Sequence, residues 1–321
     1  MTPNRQLTTF RRLWAAPRAR FGLIVLGLMC VACFGSLGWS RTAMRAQRLV
    51  DSSRPPFWAT SPDLKNDSTS PRSDTDRAAA RYWLGSDDLG RSLLARTLFG
   101  GALSLTLGAV AAAIAVFIGT TYGLIAGYAG GRCDALMMRL VDVLYALPYV
   151  LLVMLLTISI GPRMERAAAA LRLSPEIARF AVLVFGIGGV SWLTMARVVR
   201  GQVLSLRERS FVEAARSMGT STITILMRHI LPNTLAPIIV FATLTIPQAI
   251  LQESFLSFLG VGVQPPQATW GSLAADGVRG VHSVQMDWWL LAFPAGALSI
   301  TLLALQFVGD SLRDSLDVRE Q

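Results

Sequence analysis

Phe211-Val212-Glu213-Ala214-Ala215-Arg216-Ser217-Met218-Gly219, with Ile230-Leu231-Pro232-Asn233 after it, separates two long apolar segments and is too polar to be one itself. The pattern predicts a short helix, a glycine stop, a second short turn, and a proline that breaks the chain before the next apolar run. On a helix, Phe211, Ala214, Ala215 and Met218 fall at i, i+3, i+4 and i+7 and make one narrow apolar face. Arg209, Glu213 and Arg216 lie off that face, with Arg209–Glu213 and Glu213–Arg216 at pairing distances along the helix. Two adjacent alanines keep the face thin, so that a groove of another protein could close over it. Gly219 suits the left-handed residue after a helix end, and Thr220 or Ser221 suits the cap of the second turn.

The flanking runs identify the solvent. The chain has 321 residues, a mean hydropathy of +0.47, 52% hydrophobic residues and only 16% charged ones. A soluble chain carries nearer a quarter charged residues, and several runs here reach spanning length. The sequence is therefore expected to be an all-α integral membrane protein of about six spans with both termini cytoplasmic. Its net charge of +10 comes from 29 Arg and the single Lys65. Those arginines sit beside apolar segments, where the positive-inside bias accounts for them and nucleic acid is not needed as a partner.

Taken in order, residues 1–20 carry Arg5, Arg11, Arg12, Arg18 and Arg20 with no acid, and a first span occupies 21–38. No Ala-x-Ala site ends it, so an uncleaved helix is expected. Cys30 and Cys33 lie inside that helix and read as small packing residues rather than a redox pair. Residues 40–85 are polar, with Arg54-Pro55-Pro56 and Ser70-Pro71-Arg72, and read as an extended loop outside the membrane. Tyr82 and Trp83 suit an interface, and Ser86 or Asp87 suits the cap of an amphipathic helix through Leu98.

A second span is expected over 100–127, where Gly119, Gly123 and Gly127 have the spacing that lets helices approach closely. A third covers 135–160, with Asp142 placed for Arg139 and a kink or an opened hydrogen-bond ladder at Pro148. Residues 161–176 read as an external loop, and 177–199 as a fourth span. The basic loop 200–232 holds Arg200, Arg207, Arg209, Arg216 and Arg228. Thr234 caps a fifth span that ends with Gln248, Gln252 and Glu253 on adjacent faces, suited to a pore or to bonding between helices. A sixth runs from Asp287 to Val308. The implied domains are an N-terminal segment with the first helix over 1–39, an external loop and interfacial segment over 40–99, a five-helix core over 100–310 containing the loop 200–232, and a tail over 311–321. The candidate intramembrane polar residues are Asp142, Gln248, Gln252 and Glu253. His229 and His282 have no ligand cluster around them, so neither a metal site nor a catalytic one is expected.

Several of these stretches resemble one family in the right order. Glu213-Ala214-Ala215, Gly219 and Ile230-Leu231-Pro232 resemble the EAA loop of ABC-importer permeases. Trp83-Leu84-Gly85-Ser86-Asp87-Asp88-Leu89-Gly90-Arg91, the run from Glu253 through Gly262 to Trp270-Gly271, and Gly309-Asp310-Ser311-Leu312-Arg313-Asp314 resemble the oligopeptide, dipeptide and nickel group, in its "C" partner. The resemblance implies a type I permease fold in a bacterial inner membrane. It implies a coupling loop at Glu213, Ala214, Ala215, Gly219, Leu231 and Pro232, gripped by two ABC ATPase subunits. It also implies a homologous "B"-type permease and an extracytoplasmic binding protein that delivers peptides, or alternatively nickel, glutathione or another small solute. The chain has no Gly-x-x-x-x-Gly-Lys-Ser/Thr loop, so ATP and Mg would be held by the partner subunits and no cofactor by this chain. From hydropathy alone an ion-coupled carrier using Asp142 and Glu253 is the alternative.

Overall fold

The computed structural model describes residues 14, 16–59, 82–172, 174–280 and 287–317. Helices α1 (Pro17–Gly35) and α2 (Leu37–Ala43) lead to a 3-10 turn, Leu49–Asp51. Next come α3 (Leu93–Ala129), α4 (Gly131–Ala146), α5 (Tyr149–Ala170), α6 (Pro175–Arg207) and α7 (Ser210–Ser217). After a π-helical turn at Ile225–Ile230 come α8 (Leu231–Phe258), α9 (Trp270–Gly280) and α10 (Trp288–Asp317). Five helices are long and apolar enough to span a membrane, and the pair α4–α5, bent by 90°, makes a sixth if it counts as one span. No strand occurs among the described residues. Arg5, Arg11, Arg12, Lys65, Ser70-Pro71-Arg72 and His282 lie outside the described residues.

Two compact units are present, one of residues 1–23, 107–249 and 305–321, the other of 24–106 and 250–304. In the first, the glycine spacing on α3 does what its sequence predicts. A Cβ on Gly119 would strike Met195, and one on Gly123 or Gly127 would strike Ala196, Val199 or Val203, all on α6. With no side chains in the way, the two helices close on each other. Arg200 clamps Asp134 through two bonds of 2.6 Å, tying α4 to α6. The core beneath includes Leu124, Met195, Val199, Val203, Val212, Ala215, Ile225 and Ile230.

Pro148 opens the third span as expected, bending it by 90° between α4 and α5, since Leu147 adopts the extended backbone that a following proline demands. Three expectations for this unit are corrected. The segment 161–170 is helical, not a loop, with Pro162 inside α5. Pro232 breaks nothing, because the helix runs from Thr222 to Phe258 and the π turn ahead of the proline widens the ladder where its N–H is missing. Asn233 Nδ2 donates to the His229 carbonyl there, at 2.6 Å, so an acceptor freed near the irregular turn is satisfied. Thr234 is therefore not a cap; its hydroxyl donates to the Leu231 carbonyl within the helix.

In the second unit the helix expected to start at Ser86 or Asp87 starts at Leu93 instead. Asp87 is taken by its own loop: its carboxylate accepts from the Leu89 and Arg91 amides, from Arg91 Nε at 2.7 Å and from Arg96 Nη1 at 2.6 Å. The segment 48–54, expected to be extended loop, is stapled to this turn. Arg48 N donates to Leu89 O, Ser53 N to Asp87 O and Ser86 N to Arg54 O. Gly90 lets the two strands of chain touch: it sits at φ +67°, and a Cβ there would overlap the Arg48 carbonyl. Tyr82, expected at an interface, is buried, and its hydroxyl bonds Asp51 and the Gly90 carbonyl. Helix α9 went unforeseen. Its Trp270 is wholly buried, with the indole N–H donating to Thr97 O and the backbone N–H to Ser104 Oγ.

Candidate functional site

The loop between α6 and α8 is built on a rigid neck. Arg207, the last residue of α6, reaches the Gly127 and Tyr128 carbonyls at the end of α3. Arg209 then turns extended and α7 begins. Its end is a full Schellman closure: Gly219 N donates to Arg216 O and Thr220 N to Ala215 O, with Gly219 at φ +78°. Ser221 caps the next turn, its hydroxyl accepting from the Thr224 amide. Glycine stop and Ser221 cap therefore stand where the sequence places them.

Of the apolar face read from the sequence, only Ala215 is taken by the core of this chain. Val212 and Ala215 point inward, while Phe211, Glu213, Ala214, Met218 and Gly219 are exposed. Met218 is 78% exposed and Phe211 40%. An eight-residue helix makes barely two turns, so several faces fit its periodicity, and the core selects Val212 with Ala215. Arg209 and Arg216 were expected to pair with Glu213, but among the described residues no ion pair joins them. Arg216 instead lies over the Tyr128 ring, 5.6 Å from its centre. Between α7 and the neck a cavity of about 370 Å³ is lined by Tyr128, Ala129, Arg207, Glu208, Glu213 and Arg216. The result is a small platform on which Phe211, Ala214 and Met218 are exposed beside an exposed acid. Leu231 is half-buried and Pro232 exposed, both on the helix that leaves the π turn.

The intramembrane polar residues differ in their surroundings. Asp142 is not neutralised by Arg139, one turn away, but by Arg197 of α6 at 2.8 Å, which also lies 4.2 Å from the Tyr145 ring centre. Gln248 is exposed, Gln252 is half-buried, and Glu253 is fully buried. One carboxylate oxygen of Glu253 accepts from Ser257 and Thr269 at 2.7 Å each, which makes it a structural tie between α8 and the segment leading into α9. Among the described residues no group of three or more His, Cys, Asp or Glu could hold a metal ion. Cys30 and Cys33 are free, and Cys33 is buried against Gly101 and Trp270 as a packing residue.

Sequence reasoning missed the Arg200–Asp134 clamp and the Arg207 brace. Both basic residues were visible in the loop, but their partners lie 66 and 79 or more positions away. It also missed α9, whose Trp270, Leu273 and Gly277 do follow helical spacing but are diluted by four glycine or alanine neighbours.

Comparison with known proteins supplies the family. The model for the binding-protein-dependent transport system inner membrane component matches residues 119–320. The dipeptide transport system permease protein DppC of Bacillus subtilis is 44% identical over 239 residues, covering 74% of this chain and 69% of that one. The oligopeptide transport system permease protein OppC of Escherichia coli K12 is 40% identical over 320 residues, covering 97% and 93%. Among solved structures, an inward-facing form of the MetNI methionine ABC transporter superposes with a TM-score of 0.51 at 16% identity, over 68% of this chain and 94% of that one, which speaks to fold alone. The helix order, the apolar spans and these matches together make the chain a member of the binding-protein-dependent transport system inner membrane component family.

Proposed function

We propose that this chain is the permease subunit of an ATP-driven importer and forms, with a homologous "B"-type permease, the path for di- or oligopeptides handed over by an extracytoplasmic binding protein. Two ABC ATPase subunits would hold ATP and Mg and would grip α7. One observation carries the coupling assignment: Phe211, Ala214 and Met218 stand exposed beside Glu213, which holds no described ion pair, on a helix whose other face is locked into the core. A cleft on a cytoplasmic partner that receives those side chains would transmit its closure through the Arg207 neck to α3 and α6. The peptide assignment rests on the names of the relatives. The same machinery would serve nickel, glutathione or another small solute with a different pore lining. An ion-coupled carrier is the poorer reading, since Asp142 already has Arg197 and Glu253 is enclosed.

The test is the reconstituted complex of both permeases, both ATPases and the binding protein in lipid vesicles. Glu213→Ala changes the platform at small cost to the fold, because Glu213 is free of described ion pairs, whereas Gly219→Asp has open space for its Cβ but adds backbone strain of roughly 1–2 kcal/mol at φ +78°. Both variants should insert normally while ATPase stimulation by peptide-loaded binding protein and uptake of labelled dipeptide fall at least tenfold, about 1.4 kcal/mol of coupling. Undiminished uptake in both would overturn the assignment of α7.

A further inference from the structure

The segment 49–58, part of the stretch 40–85 read from the sequence as a polar loop outside the membrane, carries an aromatic and aliphatic surface that the protein does not cover. Val50 is 89% exposed and Trp58 56%. Trp58 packs edge-on against Trp288 at 6.0 Å and against Phe293 at 6.4 Å between ring centres. Phe57 packs against Trp83 at 5.6 Å. Trp288 is the first residue of the spanning helix α10, and Phe293 lies five residues further in. At 1.5 Å per residue that is about 7.5 Å along the helix. The Trp58 ring thus runs alongside the first turn and a half of a membrane span, at a level where α10 already needs apolar surroundings.

The polar edge of that ring is accounted for inside the protein. Trp58 Nε1 donates to the Trp83 carbonyl at 3.1 Å. An indole whose N–H has a protein acceptor leaves only apolar surface outward, and such surface enters a bilayer without an unmet donor. The segment is also held in place rather than dangling, through the Arg48, Ser53 and Arg54 backbone bonds to the 86–89 turn.

From this continuity we infer that residues 49–58 are a membrane anchor. Val50, Phe57 and Trp58, with Trp83 and Trp288, sit in the boundary between headgroups and acyl chains of the leaflet at the start of α10, and their occupant is lipid. The turn at Ser86–Gly90 then has a mechanical task, which is to pin this anchor to the head of α3.

The experiment places a nitroxide label on Cys introduced at Val50 and, separately, at Phe57. The background is Cys30→Ala, Cys33→Ala, Cys133→Ser, and the full chain is reconstituted in vesicles of palmitoyl-oleoyl phosphatidylcholine and phosphatidylglycerol. Collisions with oxygen should exceed collisions with a water-soluble nickel chelate several-fold relative to the same label free in buffer. Nickel-dominated collisions, as in water, would overturn the inference, and so would shielding from both reagents, which would mean that protein covers the patch. If the cysteine-free chain does not insert, native chain and Trp58→Leu are compared in vesicles of brominated phosphatidylcholine. The tryptophan emission lost to bromine should be smaller in the variant, and an unchanged loss would overturn the inference.

Discussion

Two buried acids of the same unit show how far partners decide the fate of a carboxylate. Asp87 meets two guanidinium groups and two backbone amides, whereas Asp287 has the Ser53 hydroxyl and the nearby Asp88 charge. Burial, aided by Asp88, pushes the Asp287 carboxyl above its ordinary value. A raised acid contributes stability in its protonated form, fully present below the unfolded value near 4 and lost as pH rises through the folded one. At neutral pH the buried ion is therefore a cost. Asp287→Asn should raise the midpoint of thermal unfolding in detergent at pH 7, with the gain shrinking toward pH 4. Asp87→Asn should do the opposite, by about 3–5 kcal/mol, because it leaves the buried Arg96 without its short partner. Equal shifts of one sign in both variants would show that burial alone, and not pairing, governs this unit. None of this was legible in the sequence, where Asp87 looked like a helix cap. A carboxylate beside several donors reads as a cap until the fold brings Arg96 back to it. The same blindness sent Asp142 to Arg139, its neighbour along the helix, when its partner is Arg197 from 55 positions away.

Elements were legible where one physical cue dominates over many residues. Long apolar runs marked α1, α3, α6, α8 and α10, and the glycine stripe on α3 marked the face that α6 meets. Pro232 was misread as a breaker, since a proline ends a helix only when no irregular turn or side chain takes up the bond it forfeits. The stripe gives a graded test. At Gly123 an added Cβ would stand 2.6 Å from the Ala196 carbonyl oxygen, which is backbone and has no rotamer to yield, whereas at Gly201 of α6 it would meet nothing within 4 Å. Gly123→Ala should cost roughly 1–3 kcal/mol. Gly201→Ala should be neutral or gain roughly 0.5–1 kcal/mol from helix propensity. Chemical unfolding of the two variants in mixed micelles checks the contrast, and similar stabilities would mean that α3 and α6 do not close on the glycines.

At the scale of the molecule the open count is five spans or six, and the pair α4–α5 decides it. Three ion pairs along α6 settle the geometry. Near one end of α6, Arg200 holds Asp134 and Arg197 holds Asp142, both on α4. Near the other end, Arg179 holds Glu165 of α5 at 3.1 Å. Arg179 and Arg200 are 21 helical residues apart, which is roughly 30 Å and the thickness of a hydrocarbon core. Between residues 134 and 165 the chain has therefore travelled the length of one span, even though it bends by 90° on the way. A re-entrant loop would have brought Glu165 back to the level of Asp134, out of reach of Arg179. Cys133, exposed at the start of α4, and a cysteine at the exposed Met218 on the Cys133→Ser background should thus be reached by a membrane-impermeant maleimide from the same side. That side should be the cytoplasm if α7 meets an ATPase, and labelling of the two positions from opposite sides would reduce the count to five.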